Sequence, residues 1–167
     1  MNVLDVAIRK HFGHTCAVEL SKEGESDSSR GNLMKQFDVQ SIQLTVPAKE
    51  VFVFIADPHN LPRWAQAFTK VSNGRATMQT ANGAAEIDLK VEASEKHGTI
   101  DWIMKFPDGA VARACSRVVP LSVKETVYSF LLLPPPVPLE RLEGALEQQS
   151  RTLKDELASL KTILEQG

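Results

Sequence analysis

The sequence surroundings of Cys115 do not suit nucleophilic chemistry. A cysteine nucleophile needs a base within hydrogen-bonding reach. Cys115 is flanked by Arg113 and Arg117, and the chain has four histidines in all. His59 and His97 lie in turn sequences, Asp-Pro-His-Asn and His-Gly, where we expect them to be exposed. The sequence therefore does not predict nucleophilic catalysis.

Metal and cofactor sites are not indicated either. His11, His14 and Cys16 are competent ligands, but their spacing matches no closed zinc site and a fourth ligand is missing. Glu86 and Asp88 share one face of a predicted strand, but it is the polar face, where paired carboxylates are ordinary surface groups. A glycine-rich phosphate loop is absent from the sequence. We therefore expect neither a metal nor another cofactor.

Aromatic and aliphatic side chains at inward positions indicate instead the binding of an apolar molecule, although each position alone also suits an ordinary core. Gln149 projects from the apolar stripe of the last predicted helix. A buried amide without a partner costs about 1–3 kcal/mol, so Gln149 needs a ligand, a water or a strand side chain beside it. The candidate ligand-binding residues, one of them with its orientation open, are Trp64, Phe68, Leu89, Trp102, Met104, Arg113, Tyr128, Phe130, Leu146, Gln149 and Leu153.

The orientation left open is that of Arg113. Alanines occupy one side of its strand, and Arg113 lies on the other side together with Cys115. If the alanines face inward, they leave room for a ligand and Arg113 is solvated; if Arg113 faces inward, it meets an anionic head group such as a carboxylate. The solvated orientation is favoured, because a buried arginine is costly unless it is paired. Glu156 is expected at the rim of the site, where its carboxylate reaches water.

The elements that position these residues follow from the periodicity of the sequence. Apolar residues alternate over 42–46 and predict a strand with one buried face. Two short helices are predicted next, over 47–56 and 60–68, and the second would bring Trp64 and Phe68 to one face. The two short helices therefore follow the first strand directly.

Six further strands alternate around Asn-Gly, His-Gly and Asp-Gly turns. The longest pattern, over 139–165, is an amphipathic helix with one apolar stripe. Because the helices lie outside the run of strands, the order predicts an α+β fold and not a doubly wound sheet.

Two segments carry a resemblance to a known family, VPAKEVFVFIADPHNLPRWAQAF and LEQQSRTLKDELASLKTILE. They resemble the Bet v 1-like, START-like (SRPBCC) superfamily, which includes lipid-transfer domains, polyketide cyclases and plant allergens. The first is similar to polyketide cyclase/dehydrase-like members, and the second to the last helix of many bacterial members. The resemblance covers about residues 34–166. It implies a helix-grip fold, in which a seven-stranded curved antiparallel sheet surrounds a long C-terminal helix and leaves an apolar cavity.

Composition excludes several classes of protein. Hydrophobic residues make up 43% of the 167 residues and charged residues 24%, which is ordinary for a globular chain. The net charge of −2 gives no basic excess for nucleic-acid binding. The longest apolar run, at 130–138, carries four prolines and is too short to span a bilayer. Two distant cysteines and no signal peptide lead us to expect a soluble, cytoplasmic protein without integral membrane association.

The chain divides by composition into an extension and a domain. Residues 1–33, which end in a Gly/Ser-rich linker, have no recognised counterpart and no assigned role. Residues 34–167 are predicted to form the helix-grip domain. The sequence leaves open whether the protein is a monomer or a homodimer.

Three functions remain, in this order. The first is binding of a small hydrophobic or amphipathic molecule, of lipid, polyketide or aromatic type, between the sheet and the last helix. The second is an aromatase/cyclase-like enzyme in the same cavity, with Tyr128, Gln149 and Arg113 moving protons. The third is a co-chaperone-like interaction module, which would have a filled interior and an exposed apolar patch.

Overall fold

The computed structural model describes residues 37–80, 83–133 and 139–167. They form seven strands, two short α-helices after the first strand and one long helix at the end. In chain order the elements are β1 Asp38–Leu44, α1 Ala48–Ala56, α2 Leu61–Trp64, β2 Phe68–Ser72, β3 Arg75–Thr80, β4 Gly83–Ser94, β5 Thr99–Lys105, β6 Val111–Pro120, β7 Thr126–Leu132 and α3 Leu139–Gln166. Single 3-10 turns lie at Pro58–Asn60 and Glu95–His97.

All seven strands belong to one antiparallel sheet in the order β1-β7-β6-β5-β4-β3-β2. Strands β2 to β7 follow one another as neighbours, whereas α1 and α2 carry the chain from β1 at one edge to β2 at the other. This arrangement confirms the predicted α+β helix-grip fold with its seven-stranded sheet. The predicted extension at 1–33 lies outside the described residues.

The start of α1 follows from its sequence. Pro47 occupies the N-cap position with a φ of −58°, which its ring sets in advance for the turn into the helix. The buried side chains of α1 are Val51, Phe52 and Ile55, and the helix contacts β5 and β6. The hydroxyl of Thr126 donates to the Val46 carbonyl at 2.7 Å and so joins the end of β1 to the start of β7.

The prediction of a helix over 60–68 is wrong beyond Trp64. Ala65 is extended, with φ −95° and ψ 106°, and Phe68 is already the first residue of β2. Asn60 also makes no side-chain cap; its amide donates to the Phe54 carbonyl at 2.9 Å. Trp64 and Phe68 are both buried, but on separate elements, because pairing of the β2 edge strand with β3 overrides the helical spacing.

Helix α3 runs alongside β1 in the same direction, and hydrogen bonds tie the two at both ends. Ser150 bonds to Asp38 and accepts from Gln40 at one end, while Lys161 Nζ donates to the Gln43 carbonyl at 2.6 Å towards the other. The apolar stripe of α3 is fully buried at Leu153, Leu157 and Leu160.

Among the described residues, no helix has both the length and the apolar character that crossing a membrane requires.

Candidate functional site

An aromatic cluster forms the centre of the candidate site. The rings of Trp64 and Trp102 have centroids 6.3 Å apart and are tilted by 59°, and Trp102 stacks on Phe130 at 6.1 Å and 23°. These separations are typical of favourable aromatic pairs. All three side chains are buried, although they come from α2, β5 and β7. The tertiary fold therefore joins three predicted site residues that are far apart in the sequence.

The register of the sheet shows which face carries this cluster. Gln40 is paired with Phe130, and Phe130 with Ser116, so these residues share a face. Gln40 bonds to Ser150 on α3, which makes this the inner face, covered by the helix. Trp102 lies two residues beyond Ile100, the partner of Ser116, and therefore points to the same side.

Tyr128 is fully buried on the same face, two residues before Phe130. Burial raises the pKa of its phenol well above the ordinary value, and the neighbouring Ser116 hydroxyl offsets this only in part. Ser116 donates its own proton to the Ile100 carbonyl at 2.9 Å. Tyr128 is therefore a neutral phenol at every physiological pH.

Three donors in this region find no acceptor among the described residues: the indole N–H groups of Trp64 and Trp102 and the hydroxyl of Tyr128. A buried donor that leaves water without gaining a partner costs about 1–3 kcal/mol. Native structures leave few such groups, so a cluster of them calls for an explanation.

Other predicted site residues line the same face towards β4. Leu89 is paired with Met104, and Met104 with Ala112; Leu89 and Met104 are buried. Ala114 is paired with Trp102 in the same way. The two alanines keep part of their surface accessible although β6 lies in the middle of the sheet. At these two positions the inner face of β6 is partly accessible and also packs against the core.

Arg113 does not join the cluster. Because Ala112 and Ala114 face inward, Arg113 points to the outer face, where 53% of its side chain is exposed. Its guanidinium lies 3.7 Å from Glu92 and 3.8 Å from Asp101. Its inclusion among the ligand-binding residues is thus corrected: the solvated orientation is the one observed, since charged partners and water are available on that side.

Helix α3 contributes Gln149 and Leu153, which are both buried on its inner stripe. The side chain of Leu146 lies outside the part of the chain that the structure describes. Of the predicted set, nine residues are thus buried: Trp64, Phe68, Leu89, Trp102, Met104, Tyr128, Phe130, Gln149 and Leu153.

Glu156 is not the solvated rim residue that its position on α3 predicted, because only 4% of it is exposed. The connection between α2 and β2 covers it, and the Gln66 N–H donates to its Oε1 at 2.8 Å. Burial raises the pKa of this carboxyl to about 7, and the nearby charge of Asp155 adds to the shift. Helical spacing alone does not show which loop covers a side chain.

A polar group at the start of β1 was missed in the sequence. The Gln40 amide donates to Asp38 at 2.5 Å and to Ser150 at 2.8 Å, and the Ser150 hydroxyl donates to Asp38. Asp38 is buried. Strand alternation could have revealed this group. Residues two apart in a strand point to the same face, so Asp38 and Gln40 lie on the same inward side as Ile42 and Leu44. Polar side chains therefore border the inner face at this end.

The groups considered for nucleophilic chemistry lie elsewhere. Cys115 is on the outer face, and burial together with the Asp101 carboxylate raises the pKa of its thiol. The ring of His59 is exposed and bonds to Asp57 at 2.8 Å. Within residues 37–80, 83–133 and 139–167, no three His, Cys, Asp or Glu side chains are placed to hold a metal together.

Solved structures of START-like and aromatase/cyclase proteins share this fold. A START superfamily protein from Mycobacterium smegmatis has a TM-score of 0.55 at 14% identity, over 78% of this chain and 97% of its own. The Zhui aromatase/cyclase from Streptomyces sp. R1128 has a TM-score of 0.59 at 12% identity, over 77% and 93%. The di-domain ARO/CYC BexL from the BE-7585A biosynthetic pathway has a TM-score of 0.57 at 23% identity, over 77% of this chain and 46% of its own.

These likenesses confirm, at the level of the fold, the resemblance to START-like and polyketide cyclase-like proteins. With identities below 25%, they establish the architecture and leave the ligand undefined. No protein-family model matches the sequence, and no curated protein sequence does.

Proposed function

We propose that this protein binds a small hydrophobic or amphipathic molecule on the inner face of the sheet, beneath α3. The observation that carries the proposal is the aromatic cluster of Trp64, Trp102 and Phe130 beside the partly accessible Ala112 and Ala114. An apolar molecule placed there would gain about 25 cal/mol for each Å² of apolar surface removed from water. Concave apolar surfaces with a few polar groups are the usual form of small-molecule sites.

Catalysis in the same space is the weaker candidate function. Of the three residues considered for proton transfer, Arg113 lies on the outer face, which leaves Tyr128 and Gln149. Tyr128 is a neutral phenol that is able to donate a proton only to a strong base, because burial disfavours its ionised form. Binding needs no such group, and it is supported by the cluster alone.

We propose that residues 34–167 are the binding domain of a cytoplasmic protein and that residues 1–33 are an extension to it. Size-exclusion chromatography coupled to light scattering distinguishes a monomer from a homodimer.

Ala114→Leu tests the binding proposal, because it adds three carbon atoms above the centre of the sheet. If open space lies there, the variant keeps its Tm, since overpacking of a filled core costs about 1–3 kcal/mol and an open site does not impose that cost. We expect the affinity for anilinonaphthalene sulfonate, measured by fluorescence titration, to fall by about tenfold or more.

Val111→Leu is the matched control, because Val111 lies on the same strand with 64% of its surface exposed. It should change neither Tm nor affinity. A large loss of Tm in Ala114→Leu, or an unchanged affinity, would contradict the proposal. Mass spectrometry of small molecules that co-purify with the native protein gives a second, independent test.

A further inference from the structure

The aromatic cluster carries hydrogen-bond donors that the described part of the chain leaves unsatisfied. They are the indole N–H groups of Trp64 and Trp102, with the Tyr128 hydroxyl as a third. Each of the three residues is at least nine-tenths buried. They come from α2, β5 and β7, so a local distortion of one element does not explain the set.

The two indole groups can act in one way only. An indole nitrogen donates and never accepts, whereas the Tyr128 phenol is able to donate and to accept. The side chains nearest to them in the sheet register, Ala114 beside Trp102 and Val118 beside Tyr128, are apolar and offer no acceptor. The Ser116 hydroxyl donates to the Ile100 carbonyl, and its oxygen is still able to accept from Tyr128. The indole N–H groups of Trp64 and Trp102 have no acceptor among the described residues, and a molecule that occupies the site would supply one.

We propose that Trp64 and Trp102 determine specificity, selecting apolar ligands whose buried part bears hydrogen-bond acceptors, such as ketones or quinones, over hydrocarbons of the same shape. This inference rests on the proposed binding function and adds the ligand chemistry to it. A hydrocarbon or alkyl chain in the site leaves both N–H groups without partners, whereas a carbonyl oxygen accepts from one or both. Sites built to hydrogen-bond a ligand discriminate strongly against analogues that lack the matching group.

The test compares fluorenone with fluorene, which have the same ring skeleton and differ at one carbon, in equilibrium dialysis with the full chain. Wild-type protein should prefer fluorenone, and Trp64→Phe and Trp102→Phe, which keep an aromatic ring, should each reduce that preference. We expect the fluorenone-to-fluorene affinity ratio to fall by about tenfold when both N–H groups are removed. Phe130→Leu is the control: it should weaken both compounds equally and leave the ratio unchanged.

Infrared spectroscopy of bound fluorenone tests the inference without any variant. A hydrogen bond from an indole N–H lowers the carbonyl stretching frequency relative to fluorenone in an alkane solvent. A carbonyl stretching frequency equal to the alkane value would overturn the inference. The same holds if a folded Trp64→Phe/Trp102→Phe protein has the fluorenone-to-fluorene affinity ratio of the wild type. In either case the proposed binding function stands. If neither compound binds, the proposed function fails for ligands of this size, and the inference fails with it.

Discussion

At the scale of single residues, buried hydroxyl groups show the difference between a satisfied and an unsatisfied position. Thr126 and Tyr128 lie on the same face of β7, and both are fully buried. Thr126 donates to the Val46 carbonyl, whereas Tyr128 has no hydrogen-bond partner among the described residues. The same class of group therefore stabilises the fold at one position and costs stability two residues later.

Tyr128→Phe should stabilise the ligand-free protein. The change removes a buried oxygen whose desolvation is not compensated, so we expect a gain of about 1 kcal/mol, or roughly 2–4 °C in Tm. Thermal unfolding followed by circular dichroism measures it. Thr126→Val is the matched control and should lower Tm, because it leaves the Val46 carbonyl unsatisfied. A lower Tm in Tyr128→Phe would show that the phenol is satisfied.

At the scale of elements, the turn between β4 and β5 depends on one close approach. Gly98 has a φ of +65°, and a Cβ at this position would lie 2.2 Å from the Val118 carbonyl oxygen. Gly98 O also accepts from the Val118 N–H at 2.7 Å. The β4–β5 turn therefore packs directly on the backbone of β6, and glycine is required there for two reasons, conformation and space.

Gly98→Ala should destabilise the protein by more than the conformational cost alone. Left-handed backbone costs a non-glycine residue about 1–2 kcal/mol, and relief of the contact with Val118 adds to it. Gly109→Ala is the control, because Gly109 has a φ of +86° but no atom within 4 Å of the added Cβ. Urea unfolding should show a clearly larger loss of unfolding free energy for Gly98→Ala than for Gly109→Ala. Equal losses would mean that the turn moves away from β6 freely.

At the scale of the whole molecule, α3 is the element that closes the sheet, and its buried carboxyl links that closure to pH. Glu156 is fastened to the connection between α2 and β2 through the Gln66 N–H. Its folded-state pKa of about 7 lies above the ordinary value of 4.5, so the native state holds a proton that the unfolded state releases between these values. Linkage then requires that stability falls as pH rises through this window.

Glu156→Gln should remove this part of the pH dependence while keeping an oxygen acceptor for the Gln66 N–H. In the wild type we expect the free energy of unfolding to fall by up to about 3 kcal/mol between about pH 4.5 and 8. The fall should be complete once the pH exceeds the folded-state pKa of Glu156. Urea unfolding at a series of pH values measures the slope. Glu147→Gln, an exposed position on the same helix, should leave it unchanged. An identical slope in wild type and Glu156→Gln would exclude Glu156 as the cause.

Periodicity alone determined much of the architecture. Alternation predicted the strands, turn residues predicted their hairpins, and the stripe at Leu153, Leu157 and Leu160 predicted the buried face of α3. It also placed Trp102 and Phe130 on the inward side of their strands. These features depend on local geometry, since the side-chain period of a strand or helix is fixed by its backbone.

Contacts between distant elements were decided only by the tertiary structure. The end of α2 at Trp64, the loop over Glu156 and the hydrogen bonds of Asp38 with Ser150 each depend on a partner far away in the chain. The outward position of Arg113 was likewise settled by which side of β6 meets the helix. Local pattern determines which faces an element has, but burial and hydrogen bonding are properties of pairs, and three-dimensional packing selects the pairs.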